Sequence, residues 1–484
     1  MPPRHTALTD AERAHRLLLT TCAAFALLSL VLVPPSLPLG WDELVYASRF
    51  SPYAPATPFS APRTRGVPFL IAPVASWSDS VVLLRLWLTL LSATALYLGF
   101  RPWLRAAHRP SAAAVAAALY GGLWVALFYA SAAMPNHYTA MGAVGAVGLF
   151  LRARPAPAAY AGIAAWLALA TLMRPNDGAA IAVPLLLAAL LVPALRSHGR
   201  LLAVLGGLAA GALPWLIEAY VRFGGVRERL ARASEVQGDL RPLLSFTHQL
   251  TVLDGPLLCR PCDSDGIRLV TAEWWLLLPI LLTAGLLALR RRTPRALPAH
   301  ALALLTALSA ALPYLLLVPY AAPRFLLPTH ALLAPTAATG LLPLAGHARG
   351  AGRARAVGVV LPLALALALV GHLITQLQLV QGNSRIQAGA RGDWARVAEA
   401  LNARGVGGDS AASPCVLRGN TSVIPIAYAT GCEPGGSARS TADPTPAPAA
   451  LVLRDAAPPR WARDWPRHAV PGTYAPGWVV HVRP

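Results

Sequence analysis

Two adjacent carboxylates, Asp42 and Glu43, are the residues of this chain best suited to acid–base chemistry. They lie in the segment GWDELVY at positions 40–46, a few residues after a long apolar block. A carboxylate at a membrane surface can accept a proton from a hydroxyl nucleophile or hold a divalent cation. The alternative interpretation is an acidic loop start that faces water, because acidic residues are mostly exposed.

The same loop carries a second charged pair. Arg63 and Arg65 lie in APRTRGVPF at positions 61–69, and two guanidinium groups this close can bind phosphate oxygens. Contact with lipid headgroups is the alternative interpretation. Pro and aromatic residues between positions 52 and 62 predict a structured loop that lies on the membrane.

Further polar residues fall in short turns between apolar blocks. Asn136 and His137 follow Met134-Pro135, and Arg174 and Arg324 each lie in another such turn. Snorkelling or turn chemistry explains each of these residues singly. Together with Asp42 they predict an outward-facing site for an anionic, lipid-linked substrate.

A membrane scaffold must position these residues. The chain has 484 residues, of which 56% are hydrophobic and 13% are charged, about half the charge of a soluble protein. Apolar blocks recur that are long enough to cross a bilayer core of about 30 Å. We predict about eleven transmembrane helices, at residues 17–33, 80–100, 111–131, 138–151, 158–173, 179–195, 201–220, 274–289, 297–317, 325–345 and 357–376.

The basic residues predict the orientation of these helices. The net charge is +20, and the 41 basic residues are all Arg. They cluster in alternate connectors, as the positive-inside rule requires, which argues against a nucleic-acid-binding face. The prediction is a multi-pass plasma-membrane protein with a cytoplasmic N-terminus (1–16), a membrane domain (17–376), outer loops at 34–79 and 221–273, and an extracytoplasmic domain (377–484). The first block is interpreted as a retained helix rather than a signal peptide, because no A-x-A-like cleavage site follows it.

The last segment, residues 377–484, is interpreted as a small α/β domain. Apolar residues at helical spacing predict a helix from Trp394 to Leu401, with Asp393 as its N-cap. Short β-like runs follow at 415–417, 450–453 and 478–482, and the composition of 434–449 predicts a loose loop.

The chain has five cysteines, of which Cys22 lies in the first apolar block and is interpreted as a packing residue. The other four form two pairs, Cys259 with Cys262 and Cys415 with Cys432. In an oxidising compartment a disulfide within each pair is favoured over a metal site or a catalytic thiol.

These features resemble a known family. An Asp-Glu pair just after the first helix, in a long outside loop, resembles the GT-C superfamily of glycosyltransferases. The closest likeness is to glycosyltransferase family 39, of the protein mannosyltransferase and aminoarabinose transferase type, and to related actinobacterial membrane proteins. TLMRP at 171–175 resembles the family's outer Arg-Pro turn, and APRFLLP at 322–328 resembles its P-R-F/Y-x-x-P stretch. The likeness covers residues 17–376.

The resemblance implies an inverting transfer of sugar from a polyprenyl-phosphate donor to a glycan, lipid or protein acceptor. Asp42 would be the general base, and Glu43 would position the acceptor or support Asp42. Donor phosphate would be held by four candidates, the stronger Arg174 and Arg324 and the weaker Arg63 and Arg65. Three residues are candidates to contact the acceptor: Tyr46, Asn136 and His137.

One departure from the family affects the cofactor. Many relatives carry another acid in the second outer loop, where this chain has Asn136 and His137. A divalent cation is therefore a possibility and not a requirement. A membrane transporter or lipid flippase, and a non-catalytic membrane scaffold, are the alternative functions.

Overall fold

The structure is a computed structural model that describes residues 9–52, 54–106, 109–152, 156–260, 262, 271–345, 353–407, 415–437 and 448–484. These residues form eighteen α-helices. The first ten are α1 (Asp10–Leu32), α2 (Trp41–Ala47), α3 (Gly66–Ala75), α4 (Val81–Phe100), α5 (Trp103–Ala106), α6 (Ser111–Gly121), α7 (Trp124–Tyr129), α8 (Asn136–Phe150), α9 (Pro157–Met173) and α10 (Pro175–Leu191). The other eight are α11 (His198–Phe223), α12 (Val226–Val236), α13 (Phe246–Thr251), α14 (Glu273–Arg292), α15 (Leu297–Leu316), α16 (Leu327–Ala345), α17 (Arg353–Asn402) and α18 (Val423–Thr430).

Several of these helices have the length and composition of membrane spans. Within the described residues, seven segments are long and apolar enough to span a bilayer. They include all of α1, α4, α11, α14 and α15 and most of α16 and α17. Every predicted apolar block coincides with one helix or, at 111–131, with two. The prediction of a polytopic helical domain followed by a small α/β domain is confirmed, and the count of eleven spans stays a prediction.

Helix α8 lies at the centre of the bundle and packs against α4, α9 and α16. Small residues allow this close packing, as is usual between membrane helices. A Cβ atom on Gly145 would lie 2.6 Å from the ring of Trp166 in α9. Glycine at this position is therefore required by the contact between the two helices.

Two predicted helices have different bounds in the structure. The block 111–131 is divided at Gly122, and the Gln376 side chain accepts a hydrogen bond (2.8 Å) from the Trp124 N–H group at the start of α7. Helix α17 continues without a break for 50 residues through the predicted domain boundary at 376/377. Apolar composition ends near that point, but helical structure does not.

The C-terminal domain is a five-stranded sheet that packs on the end of α17. Its strands are β1 (Val416–Gly419), β2 (Glu433–Ser437), β3 (Ala450–Arg454), β4 (Arg467–Ala469) and β5 (Trp478–Val482), in the order β2-β1-β3-β5-β4. The predicted runs at 415–417, 450–453 and 478–482 correspond to β1, β3 and β5. The predicted loop begins instead as strand β2, and residues 438–447 lie outside the described residues.

Two contacts fix this domain to the membrane domain. Asp393 is not an N-cap, because α17 begins at Arg353 and Asp393 lies in its interior. Its carboxylate accepts hydrogen bonds from the Tyr474 and Ala475 N–H groups of the domain (2.5 and 2.9 Å). Helix α18 packs against α2, the helix that carries Asp42. The small domain thus contacts the predicted catalytic loop directly.

Candidate active site

The short helix α2 fixes the two predicted carboxylates at different depths. Gly40 precedes the helix in an extended conformation, and its N–H group donates to Glu43 Oε2 (2.7 Å). Glu43 is thereby turned back into the protein, with a side chain only 4% exposed, whereas the Asp42 side chain is 34% exposed. Of the pair, Asp42 is the carboxylate that a substrate can reach.

Every oxygen of Glu43 is occupied. Arg85 binds both carboxylate oxygens, at 2.7 and 3.0 Å, and Arg391 of α17 lies 3.3 Å from Oε2. The Ala133 N–H group donates to Oε1 (2.8 Å). Burial by itself raises the pKa of Glu43. The opposite effect of the two guanidinium groups is larger, and the pKa falls to about 2. Glu43 is therefore a fixed anion that holds α2 in place.

Asp42 lies between two arginines from distant parts of the chain. Arg63 Nη2 donates to Oδ1 (2.7 Å), and Arg324 Nη2 donates to Oδ2 (3.3 Å). Burial raises the pKa of the Asp42 carboxyl, but Arg63 and then Arg324 lower it more, so the pKa lies below its ordinary value. Asp42 is consequently an ionised, partly exposed carboxylate at neutral pH.

Arg324 has capacity for a further ligand. Its Nη1 donates to the Tyr129 hydroxyl and to the Leu257 carbonyl, each at 3.1 Å. Its buried Nε has no hydrogen-bond partner among the described residues. An unpaired buried N–H group on a cation is a strong donor for an anion.

The Cys259–Cys262 disulfide lies next to this arginine, and the structure also joins Cys415 to Cys432. The Cys259 N–H group donates to the Ala321 carbonyl (2.9 Å), three residues before Arg324. The disulfide loop is thus bound to the turn that carries Arg324. This contact gives the CRPC segment a structural role at the site.

Arg174 and Arg324 both lie against the ring of Phe325. The Arg174 guanidinium group is 5.3 Å from the ring centroid of Phe325, and it donates to the Tyr314 hydroxyl (2.6 Å). Asp177 forms an ion pair with it at 2.9 Å. The two predicted phosphate ligands therefore flank one aromatic residue, and both keep their side chains largely buried.

The remaining predicted site residues divide into two groups. Tyr46 is buried beneath Arg63, whose guanidinium group is 5.3 Å from the Tyr46 ring centroid. Arg65 instead pairs with Glu218 (Nε–Oε1 3.2 Å), which also binds Arg229, so Arg65 is not part of the Asp42 cluster. Arg65 belongs to a separate cluster that joins the loop between α2 and α3 to α11 and α12.

The turn that carries Asn136 and His137 is buried in the helical core. Both ring nitrogens of His137 are occupied, by the Tyr120 hydroxyl and the Ser92 carbonyl, each at 3.0 Å. Asn136 is fully buried, and its amide group has no hydrogen-bond partner among the described residues. Of these two, only Asn136 has free hydrogen-bonding capacity.

The described residues do not form a group of three or more His, Cys, Asp or Glu that could hold a metal ion. Glu43 is the carboxylate closest in sequence to Asp42, and guanidinium and backbone N–H groups occupy its oxygens. The donor set around Asp42 is cationic and fits an anion better than a divalent cation.

Sequence reasoning missed several residues around Asp42, Glu43 and Arg174, and three of them come from distant parts of the chain. Tyr129 lies inside an apolar block, Tyr314 near the end of another, and Arg391 in the predicted soluble domain. None carries a local sequence signal, because each joins the site only through long-range packing. Arg391 and Glu43, for example, are 348 positions apart.

Comparison with solved structures identifies the fold. The chain superimposes on ArnT from Cupriavidus metallidurans bound to undecaprenyl phosphate with a TM-score of 0.63 and 14% identity, over 96% of this chain and 97% of that chain. It superimposes on the archaeal oligosaccharyltransferase AglB from Archaeoglobus fulgidus, in complex with an inhibitory peptide and a dolichol-phosphate, with a TM-score of 0.55 and 14% identity, over 90% and 69% of the two chains. No protein-family model and no curated protein sequence matches the chain. The chain has the fold of the GT-C membrane glycosyltransferases, as the resemblance predicted.

Proposed function

We propose that this protein is a membrane glycosyltransferase that moves a sugar from a polyprenyl-phosphate donor to a hydroxyl acceptor outside the cytoplasm. The observation that carries the proposal is the partly exposed Asp42 carboxylate between Arg63 and Arg324. It lies in a fold that covers nearly all of ArnT. The structure of ArnT contains undecaprenyl phosphate and that of AglB contains dolichol-phosphate, which supports a lipid-phosphate donor.

Asp42 acts as the general base in this proposal. It takes the proton of the acceptor hydroxyl while the acceptor oxygen attacks the anomeric carbon. The bond from that carbon to the donor phosphate breaks, and the electron pair leaves on the phosphate oxygen. A single displacement of this kind inverts the configuration at the anomeric carbon.

The arginines act on the leaving phosphate. Charge develops on that group as the glycosidic bond breaks, and a preorganised guanidinium group stabilises it. Arg324 offers its unpartnered Nε, and Arg174 is held next to it against Phe325. A phosphate at Arg324 competes with Asp42 for the same cation. Donor binding thus weakens one ion pair of Asp42 and raises its pKa, which makes it a stronger base.

An adjacent cavity fits the lipid part of the donor. Its volume is about 1060 Å³, and its largely apolar walls include Leu257, Leu258, Leu379 and Ile386. The Leu257 carbonyl accepts a hydrogen bond from Arg324. An isoprenoid chain in this cavity would therefore place its phosphate at Arg324.

An in vitro transfer assay that measures the release of polyprenyl phosphate from the donor tests the proposal. Purified protein is supplied with polyprenyl-phosphate hexoses and pentoses and with envelope glycan, lipid and protein acceptors. We expect an acceptor-dependent product of opposite anomeric configuration from the donor. Flux across sealed vesicles without a covalent product would instead support a transporter, and absence of both would support a scaffold.

Two neighbouring arginines provide a matched pair of variants. Arg63→Gln removes the shortest contact of Asp42, and misplacement of a catalytic group costs on the order of 10²-fold in turnover. Arg65→Gln leaves Glu218 paired with Arg229, so turnover is expected to stay within about threefold of wild type. Steady-state kinetics with the same donor measures both variants. Equal losses would contradict the separation of the two clusters.

A further inference from the structure

A second cavity lies at the opposite ends of the helices from Asp42. It has a volume of about 590 Å³ and is formed by the start of α1, the end of α4, α5, the end of α8 and part of α9. Arg85 marks the other end of α4, 16 residues before Arg101, which corresponds to about 24 Å along a helix. The cavity is therefore about one bilayer core away from the candidate active site.

The charged lining of this cavity has one sign. Arg101 and Arg105 contribute from the segment after α4, Arg152 from the end of α8, and His15 from α1. No Asp or Glu is among its lining residues in the described part of the chain. Three guanidinium groups directed at one concave space repel each other unless an anion lies between them.

In the part of the chain that the structure describes, these guanidinium groups have no other contacts that would occupy them. Among the described residues, none of the Arg101, Arg105 and Arg152 side chains has an ion-pair or hydrogen-bond partner. By contrast, the nearby Arg200 side chain donates to the Phe150 carbonyl (3.0 Å) and the Arg152 carbonyl at the end of α8, and to the Leu195 carbonyl after α10 (3.0 Å). The end of α8 is thus fixed by Arg200, and Arg152 is free to bind a ligand.

The rest of the lining is apolar and held in a fixed shape. Leu98, Leu104, Leu149 and Trp166 line the same space. His15 Nε2 and the Tyr97 hydroxyl are 2.6 Å apart, which joins α1 to α4 beside the cavity. The cavity combines cationic groups with apolar walls. It therefore fits a ligand that has both an anionic group and a hydrocarbon chain. Basic pockets between membrane helices recognise lipid headgroups in this way.

We propose that this cavity binds a phosphate group through Arg101, Arg105 and Arg152. Guanidinium groups bind the oxygens of a phosphodiester in pairs, which a simple point charge does not. The phosphate is supplied either by the headgroup of an anionic phospholipid or by a soluble phosphate compound. The mixed lining favours the phospholipid. This site is independent of the proposed transfer reaction at Asp42.

Titration of the full-length protein with phosphatidylglycerol, followed by native mass spectrometry, tests this site. We expect one phosphatidylglycerol to bind more tightly than phosphatidylcholine. The triple variant Arg101→Gln/Arg105→Gln/Arg152→Gln should weaken that binding about tenfold or more, because charge-assisted hydrogen bonds are lost. The matched control, Arg290→Gln/Arg291→Gln/Arg292→Gln, changes another Arg-rich helix end and should bind as wild type does.

Competition by inorganic phosphate distinguishes the two sources. Displacement of phosphatidylglycerol by millimolar inorganic phosphate would assign the site to a soluble phosphate compound, and resistance would assign it to the phospholipid. The double variant Arg101→Gln/Arg105→Gln changes only exposed side chains and guards against misfolding of the triple variant. Wild-type affinity for phosphatidylglycerol in both variants would overturn the proposal.

Discussion

Asp42→Asn is expected to lower sugar transfer by about 10²- to 10⁴-fold, the usual contribution of a general base. Asparagine keeps the size of the side chain but cannot accept the acceptor proton. The Asp42 side chain is one-third exposed, so the change should have little effect on folding. Single-turnover kinetics with saturating donor measures the chemical step. Donor binding should be no weaker than in wild type, because the neutral asparagine competes less with the donor phosphate for Arg324.

The control is Asp79→Asn, which changes an exposed carboxylate of the same outer loop and should leave transfer unaltered. The pH profile provides a second readout. Burial raises the pKa of Asp42, but Arg63 and Arg324 lower it below the ordinary value of 3.8. Transfer requires the ionised form, so activity falls as the pH drops through that low pKa. Arg63→Gln should move this fall to higher pH. Full activity of Asp42→Asn would remove the base from the proposal and leave the fold unaffected.

The membrane helices are predictable because a bilayer imposes a length and a composition on any segment that crosses it. The contact of Arg63 with Asp42 is predictable in outline, since the residues are only 21 positions apart in one loop. Arg324 is 282 positions away from Asp42, and its P-R-F motif was informative only through resemblance to a family. Local pattern alone could not join the two.

Other features depend on packing that no local pattern encodes. Arg65 and Arg63 are equivalent by sequence, but only Arg63 faces Asp42, because Glu218 of α11 binds Arg65. The role of Glu43 is set in the same way. Burying a charge is costly unless it is paired, and two guanidinium groups and two backbone N–H groups bind the Glu43 carboxylate. Three of these donors, on Arg85, Ala133 and Arg391, come from distant parts of the chain.

Glu43→Gln is expected to lower the free energy of unfolding by about 3–5 kcal/mol, the usual cost of breaking a buried ion pair from one side. The change leaves Arg85 and Arg391 without a counter-charge, and their side chains are only 2% and 6% exposed. The glutamine side chain would also place an N–H₂ group against hydrogen-bond donors, and such a group cannot accept a hydrogen bond from them. The thermal unfolding midpoint in one detergent, read by intrinsic fluorescence, measures the loss.

A double-mutant cycle shows whether the C-terminal domain depends on this anion. Arg391→Gln alone should cost less than Glu43→Gln, because Arg85 still binds both oxygens of Glu43. The double variant should then be less destabilised than the sum of the single variants, since contacting residues are coupled. Arg385→Gln, an exposed position on the same helix, is the matched control and should not couple. Strict additivity of Glu43→Gln and Arg391→Gln would mean that α17 does not stabilise α2, and that the domain contacts the catalytic loop without holding it.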